Sequence, residues 1–331
     1  MRIASALVLT LLLAGCQQPE PAEPEPAPPG FDAQAAYGFV AGLLTTTDGE
    51  PRARVPGTAT HAEAADWLQA QMTFEGWDVA RQSFTGAEYE ALDHGSVASY
   101  RNSATYCQEP DDDEVAGLTF HNLIAQYGPK GKMLWLGAHW DSKEDASDGG
   151  VMLGANDGAS GVGLLLQLMR HVPELDLPFG IGVVFFDGED GFEDCHPLAG
   201  SLYFAQTMAP GLVDRFLLLD MVGDADARFV RETQSEASDP ALVDVLWRHG
   251  ATFAPAAFTS LQRQVVDDHV PFIEQGVPAV DLIDAGRDTF FPPYWHTSGD
   301  TLEVISVDML GAVGNTLLHT LTDPAFVADW P

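Results

Sequence analysis

Three features of the sequence predict an α/β protein built as a three-layer sandwich, with a central, mostly parallel mixed sheet flanked by helices. The first is an apolar run, Met133 to Ala138, that ends in His139-Trp140-Asp141. The second is another apolar run, Ile181 to Phe186, that ends in Asp187-Gly188-Glu189-Asp190. The third is the Gly-rich turn Gly154-Ala155-Asn156-Asp157-Gly158-Ala159-Ser160-Gly161, which delivers Asp157 onto the start of an apolar helix-like segment. Apolar runs without alternation suit strands buried on both faces, which is the condition of a parallel sheet covered by helices. In such sheets, sites form in the crevice beyond the carboxyl ends of the strands.

The remaining elements follow the same alternation. Asp32 to Leu44 carries Ala36, Phe39, Val40 and Leu43 at helical spacing, with Asp32 as N-cap. Thr60 to Glu75 is a second helix with Ala65, Trp67, Leu68 and Met72 as its stripe and Gly76 as its stop. Trp77 to Phe84 and Leu118 to Tyr127 read as strands, and the stretch Ala87 to Asp113 between them has no clear period. Helices are expected at 161–171, 199–208, 240–249, 270–275 and 307–321, and further strands at 216–221 and 279–283. No internal repeat is present, so 31–331 is read as a single catalytic domain.

Composition narrows the function classes. The chain has 49 acidic and 15 basic residues, a net charge of −34. That balance excludes nucleic acid as a partner, since phosphate binding relies on Lys and Arg. It suits solubility or, alternatively, an attraction for cationic peptides. A monomer is expected.

Residues 1–16 are not part of the fold: Arg2 is a short basic region and Ala4 to Leu13 an apolar one too short to span a bilayer as a helix. The run ends in Leu13-Ala14-Gly15-Cys16, which resembles the lipobox of bacterial lipoproteins; the alternative is an ordinary secretory signal cleaved nearby. The lipobox resemblance implies lipidation of Cys16 and, with Gln17 next, a periplasm-facing outer-membrane lipoprotein touching the membrane through its lipid alone. Residues 17–30, rich in Pro and Glu, read as an extended tether. In an oxidising compartment Cys107 and Cys195 could pair, which the chain-entropy view values at roughly 4–5 kcal/mol; two separate thiols are the alternative.

The chemistry lies in the polar residues at the strand ends: His139, Asp157, Glu189, Asp190, Asp220 and, later, His296. Zn²⁺ favours imidazole nitrogen and carboxylate oxygen from a few rigid positions, with one position left open. Asp157, Asp190 and His296 would form such a shell, and Glu189 beside it could move protons. Each residue alone is more simply a cap, loop or core residue; their recurrence at successive strand ends is what points to a metal.

These segments resemble the zinc-dependent exopeptidase fold and, within it, the animal-type glutaminyl cyclases and their bacterial relatives. The resemblance rests on His139-Trp140-Asp141-Ser142-Lys143, Phe185-Phe186-Asp187-Gly188-Glu189-Asp190, Leu218-Leu219-Asp220-Met221-Val222-Gly223 and Asp267-Asp268-His269-Val270-Pro271-Phe272. Other matching segments lie between Arg54-Val55-Pro56-Gly57 and Trp295-His296-Thr297. It implies one zinc on Asp157, Asp190 and His296, Glu189 as acid/base, and Asp220 and Asp267 in support. It further implies a substrate pocket walled by Trp295, and peptides or proteins with an N-terminal Gln as substrates; Phe291 and Trp140 are further candidates for the pocket, though Trp140 is more simply a packing residue. Aminopeptidases of the fold typically have Ser at the place of Asp267. They are the alternative, with His139 completing a second zinc site alongside Asp157 and Asp220. Two departures stand out: Asp190 where the cyclases often have Glu, and no Trp between Phe192 and Pro197. Phe290, Phe291 or Tyr294 could fill that missing wall.

Overall fold

The computed structural model describes residues 30–74, 76–98, 115–190 and 197–328. Its strands are β1 (Asp78–Thr85), β2 (Thr119–Tyr127), β3 (Met133–His139), β4 (Gly180–Phe186), β5 (Arg215–Asp220), β6 (Phe229–Glu232), β7 (Phe258–Arg263) and β8 (Ala279–Ile283). Six of them form one sheet in the order β1-β2-β4-β3-β5-β8, while β6 and β7 pair separately. The pairs β4–β3, β3–β5 and β5–β8 are parallel; β1–β2 and β2–β4 are antiparallel. The parallel centre and antiparallel edge match the expected mixed sheet.

Both faces of the central strands are covered, which is why these runs lack alternation. Along β3, Leu134, Leu136 and Ala138 enter one apolar cluster, whereas Met133 and Trp135 enter the other. β4 and β5 divide likewise: Val183 and Leu217 on the first side, Val184 and Leu218 on the second. The first layer holds α1 (Ala33–Leu43), α2 (Ala59–Met72), α4 (Ala159–His171), α7 (Pro240–Phe253) and α9 (Val307–Leu321). The second holds α5 (Ala199–Thr207) and α8 (Val270–Glu274), where Phe216 and Phe272 stack at 4.0 Å. At about 1.5–3 kcal/mol for each fully buried large side chain, these two clusters are the main source of stability.

Local signals placed most element ends correctly. Asp32 caps α1 through Ala35 N at 3.0 Å, and Ser306 caps α9 through Met309 N at 3.2 Å. Several short elements are not expected from the sequence: α3 (Gly86–Glu90), the 3-10 turns Gly95–Val97, Val172–Glu174 and Leu302–Val304, the strands β6 and β7, and the helices α6 (Thr233–Ser238) and α10 (Pro324–Ala328). Among the described residues, no helix is long and apolar enough to cross a membrane. Cys16, Cys107 and Cys195, with the signal segment, the tether and positions 192–196, lie outside the described residues.

Parallel register sets up the site. His139 pairs with Phe186, and Asp220 with Ile283, so the carboxyl ends of β3, β4, β5 and β8 lie side by side.

Candidate metal centre and catalytic cavity

Each polar residue reaches this edge by a different route. His139 is the last residue of β3, and Asp220 the last of β5. Glu189 and Asp190 follow β4 in a tight turn, held by Asp141, whose carboxylate accepts Glu189 N at 3.1 Å and Asp190 N at 3.3 Å. Asp157 sits just before α4, where buried Asp300 accepts Asn156 N at 2.8 Å and Asp157 N at 3.1 Å. Gly158 is required next to it, because a Cβ there would meet the His139 ring at 2.3 Å. Gly161 has a similar reason: a Cβ would press on Leu219 O at 2.4 Å, so α4 could not lie this close to β5.

His139, Asp157, Glu189 and Asp190 each bring one donor atom within 4.8 Å of the others. His296 closes on the same carboxylates, its Nε2 lying 3.0 Å from Asp190 Oδ1 and 3.6 Å from Asp157 Oδ2. His139 lies on the other side of Asp157, with Nε2 3.0 Å from Asp157 Oδ1 and 3.4 Å from Asp220 Oδ1. Asp157 Oδ2, Asp190 Oδ2 and Asp220 Oδ1 are buried with no hydrogen-bond partner. Unsatisfied carboxylate oxygens inside a protein are costly unless something cationic completes them. The residues therefore fit a metal ion: two carboxylates and an imidazole converge, with unused buried oxygens between them.

The cluster opens into a cavity of about 560 Å³. Asp157, Glu189, Asp190, Asp220, Asp267 and His296 all face it, and Phe290, Phe291 and Trp295 form an aromatic side. Trp295 stacks on His296 at 3.7 Å and packs against Phe291 at 4.4 Å. Among the described residues, Leu198, Met221, Phe290 and His296 are the non-glycine residues with positive φ, and all four line this cavity. Strained backbone of this kind persists where its surroundings over-determine it, and it concentrates at functional sites.

Crowded, buried acids shift one another's ionisation. Burial pushes Glu189 well above the usual glutamate range, His139 opposes this, and the charges of Asp267 and Asp190 add to it. Burial likewise lifts Asp267 far above normal, helped by Asp220 and Asp268. Asp157 rises to about 6 through burial and the charge of Asp190. Asp190 goes the other way: burial would raise it, but the hydrogen bond and charge of His296 prevail and bring it to about 2.

The sequence model of peptidase family M28 matches residues 122–321. This chain is a member of that family. Glutaminyl cyclase of Porphyromonas gingivalis superposes with a TM-score of 0.70 at 31% identity, covering 88% of this chain and 98% of its own. A Zn-dependent exopeptidase of Parabacteroides distasonis gives 0.74 at 28% identity, covering 90% and 100%. A glutaminyl-peptide cyclotransferase of Drosophila melanogaster is 28% identical over 284 residues, or 76% of this chain and 72% of its own.

In this M28 chain, two expected pocket residues have other places. Trp140 is fully buried in the core, stacked on His61 at 4.4 Å, and its Nε1 donates to His121 O at 3.0 Å. It packs beneath the site and does not line the cavity. Tyr294 turns away as well, donating to Asp224 Oδ2 at 2.5 Å and receiving Asn156 Nδ2 at 3.1 Å. Phe290 and Phe291 do line the cavity. Three supporting residues had no assigned role in the sequence reading: Asp141, Asp300 and Arg54. Arg54 is fully buried and donates to the carbonyls of Trp140, Leu153, Asp141 and Gly154, tying the exit of β3 to the Asp157 turn. Asp141 and Arg54 stand inside matching segments; Asp300 has nothing in the sequence to distinguish it from an ordinary loop charge.

Proposed function

We propose that this chain converts the N-terminal glutamine of peptides or proteins into pyroglutamate, releasing ammonia. The observation that carries this reading is the cavity itself. It brings a metal-fit cluster, a half-buried Glu189 with a strongly raised proton affinity, and an aromatic wall into one space, in a chain similar over most of its length to a bacterial glutaminyl cyclase. Asp157, Asp190 and His296 would hold one Zn²⁺, which supplies Lewis-acid polarisation of the side-chain amide carbonyl.

The chain's own residues do the rest. Trp295 and Phe291 press the folded-back glutamine side chain into place, so that the reaction is intramolecular and its entropy cost is met on binding. The α-amine attacks the side-chain amide carbon, and the new C–N bond closes the five-membered ring. Glu189 takes a proton from the attacking amine and passes one to the departing nitrogen, which leaves as ammonia. Asp220 and Asp267 face the same cavity and would hold Glu189 and the departing amide in position. Glu189→Gln should retain zinc and lose about 10²–10⁴-fold in turnover of a Gln-initiated peptide; near-normal ammonia release would refute the role.

One observation favours a second reading, hydrolysis of N-terminal residues with two zinc ions. His139 Nε2 lies beside Asp157 Oδ1 and Asp220 Oδ1, so a second ion could be shared there. Metal counting on a sample assayed with both a Gln-peptide and a Leu-anilide separates the two. One zinc with cyclisation supports the first reading, and two with anilide cleavage the second. We further propose that a lipid on Cys16 carries the enzyme on the cell envelope. Cys16→Ser would then release it from the membrane fraction, and a variant that stayed there would contradict the anchor.

A further inference from the structure

His296 holds its position in a left-handed backbone conformation, φ 56°, that an imidazole residue rarely adopts. Some of its support is local: Thr297 N and Oγ1 both donate to Tyr294 O, at 3.0 and 2.7 Å. The rest comes from far away in the chain, from the loop 144–150 that follows β3. Ser147 N donates to His296 O at 2.8 Å. Asp148 Oδ2 accepts Ser298 Oγ at 2.7 Å, and its Oδ1 accepts Ser298 N at 3.2 Å, across 150 positions of sequence. The same Oδ1 accepts Gly150 N at 3.1 Å, which folds the loop back on itself. The contact is close: a Cβ on Gly150 would meet Ser298 Cβ at 2.5 Å.

We propose that Asp148 is a positioning residue for the metal ligand His296. Its carboxylate grips Ser298, and with Ser147 it holds the 296–298 turn so that Nε2 faces Asp157 and Asp190. Asp148 is exposed and touches neither the cavity nor the acids, so its contribution is to the geometry of the ligand and not to packing. Groups that orient metal ligands in this way typically matter 10–100-fold for affinity. The inference rests on His296 being a ligand, but not on which reaction the site performs.

The experiment is zinc affinity by chelator competition on the full chain, alongside thermal unfolding in excess chelator. Asp148→Ala should weaken zinc by roughly 10-fold, leave the metal-free unfolding temperature unchanged, and regain wild-type turnover when zinc is saturating. Asp148→Asn, which keeps one acceptor oxygen, should fall between. Ser298→Ala should weaken zinc less than Asp148→Ala and add nothing to it in the double variant. Zinc affinity within twofold of wild type for Asp148→Ala overturns the proposal. So does additivity of the two substitutions. His296→Ala is the control: if it keeps zinc, the ligand assignment has failed, which is distinguishable from a failure of the cyclisation reading because no substrate is involved.

Discussion

Replacing Arg54 tests how the loops of the site are held. Burial lowers the guanidinium from its ordinary value to about 10, against the pull of Asp141, Asp190, Asp300 and Asp157. That displacement corresponds to roughly 3 kcal/mol spent on burying the charge. Opposing it are four hydrogen bonds to backbone carbonyls, each worth about 1.5–3 kcal/mol when the donor is charged. The bonds win, so Arg54 stabilises the fold, and its removal takes a donor from four acceptors at once, of which Gly154 O keeps Ala159 N. Arg54→Met should lose about 3–5 kcal/mol, the usual result of breaking a buried charged network. Arg54→Lys should also lose stability, because one ammonium with three rotating donors cannot reach the carbonyls that a planar fork spans. The assay is urea unfolding by linear extrapolation in excess chelator, so that zinc does not mask the change. A loss under 1 kcal/mol for Arg54→Met would mean the carbonyls find other partners and the stitching role is wrong.

Three further outcomes can be checked separately. Glu232 caps α6, accepting Gln234 N and Ser235 N; burial would raise it, but the hydrogen bond and charge of His269 lead the terms that bring it down to about 2. A lowered folded-state value means the stabilisation is present above pH 4.5 and fades as pH falls towards 2, so the stability gap between wild type and Glu232→Gln should shrink over that window in chemical unfolding. Trp295→Leu should raise KM about 3–10-fold by losing ring stacking while keeping zinc, whereas Trp140→Ala should cost about 3–5 kcal/mol of stability as a core cavity; equal effects on KM would contradict their separate placements. Finally, with a net charge of −34, kcat/KM for Gln-peptides bearing Lys should exceed that for their Glu counterparts by about 10-fold at low salt. The gap should close near 0.5 M salt, and a salt-independent ratio would point to direct contacts instead.

What could be read from sequence was whatever periodicity and punctuation record. The central strands announce themselves by unbroken apolar runs because they are buried on both faces, and the polar residues after them mark the carboxyl edge. The short pair β6 and β7 lacks that signature: β7 shows water several of its side chains, and neither strand is long. The metal cluster was legible because its residue types are chemically unusual in combination at strand ends. Trp140 could be read as packing or as pocket wall because a side chain's direction just past a strand depends on the loop path, and here the chain turns it inward against His61. Asp300 and Arg54 act through backbone amides and carbonyls, whose positions carry no residue-type signal at all. Such supports become visible only when the loops they join are seen side by side.

His139 decides how many ions the site should take. Its Nε2 faces Asp157 and Asp220, and its Nδ1 lies 3.4 Å from Asp141 and 3.8 Å from Glu189. An imidazole with carboxylates at both nitrogens is satisfied when both nitrogens carry protons, that is, as a cation. Burial opposes that charge, but Glu189 and the close carboxylates of Asp141, Asp157 and Asp220 outweigh it and raise the ring well above its ordinary range. A cationic His139 already supplies the positive charge that Asp157 and Asp220 need, and it cannot at the same time ligate a metal. A second ion must therefore displace a proton, which makes its uptake weaker and dependent on pH. Equilibrium dialysis should find one zinc per chain at pH 6, with any second site filling as the pH is raised and zinc is in excess. His139→Asn should leave the first zinc in place, since the proposed ligands Asp190 and His296 approach Asp157 through its other oxygen. Two zinc ions bound with equal affinity at pH 6 would show that the imidazole is neutral there, and the hydrolytic reading would then gain what the cyclisation reading loses.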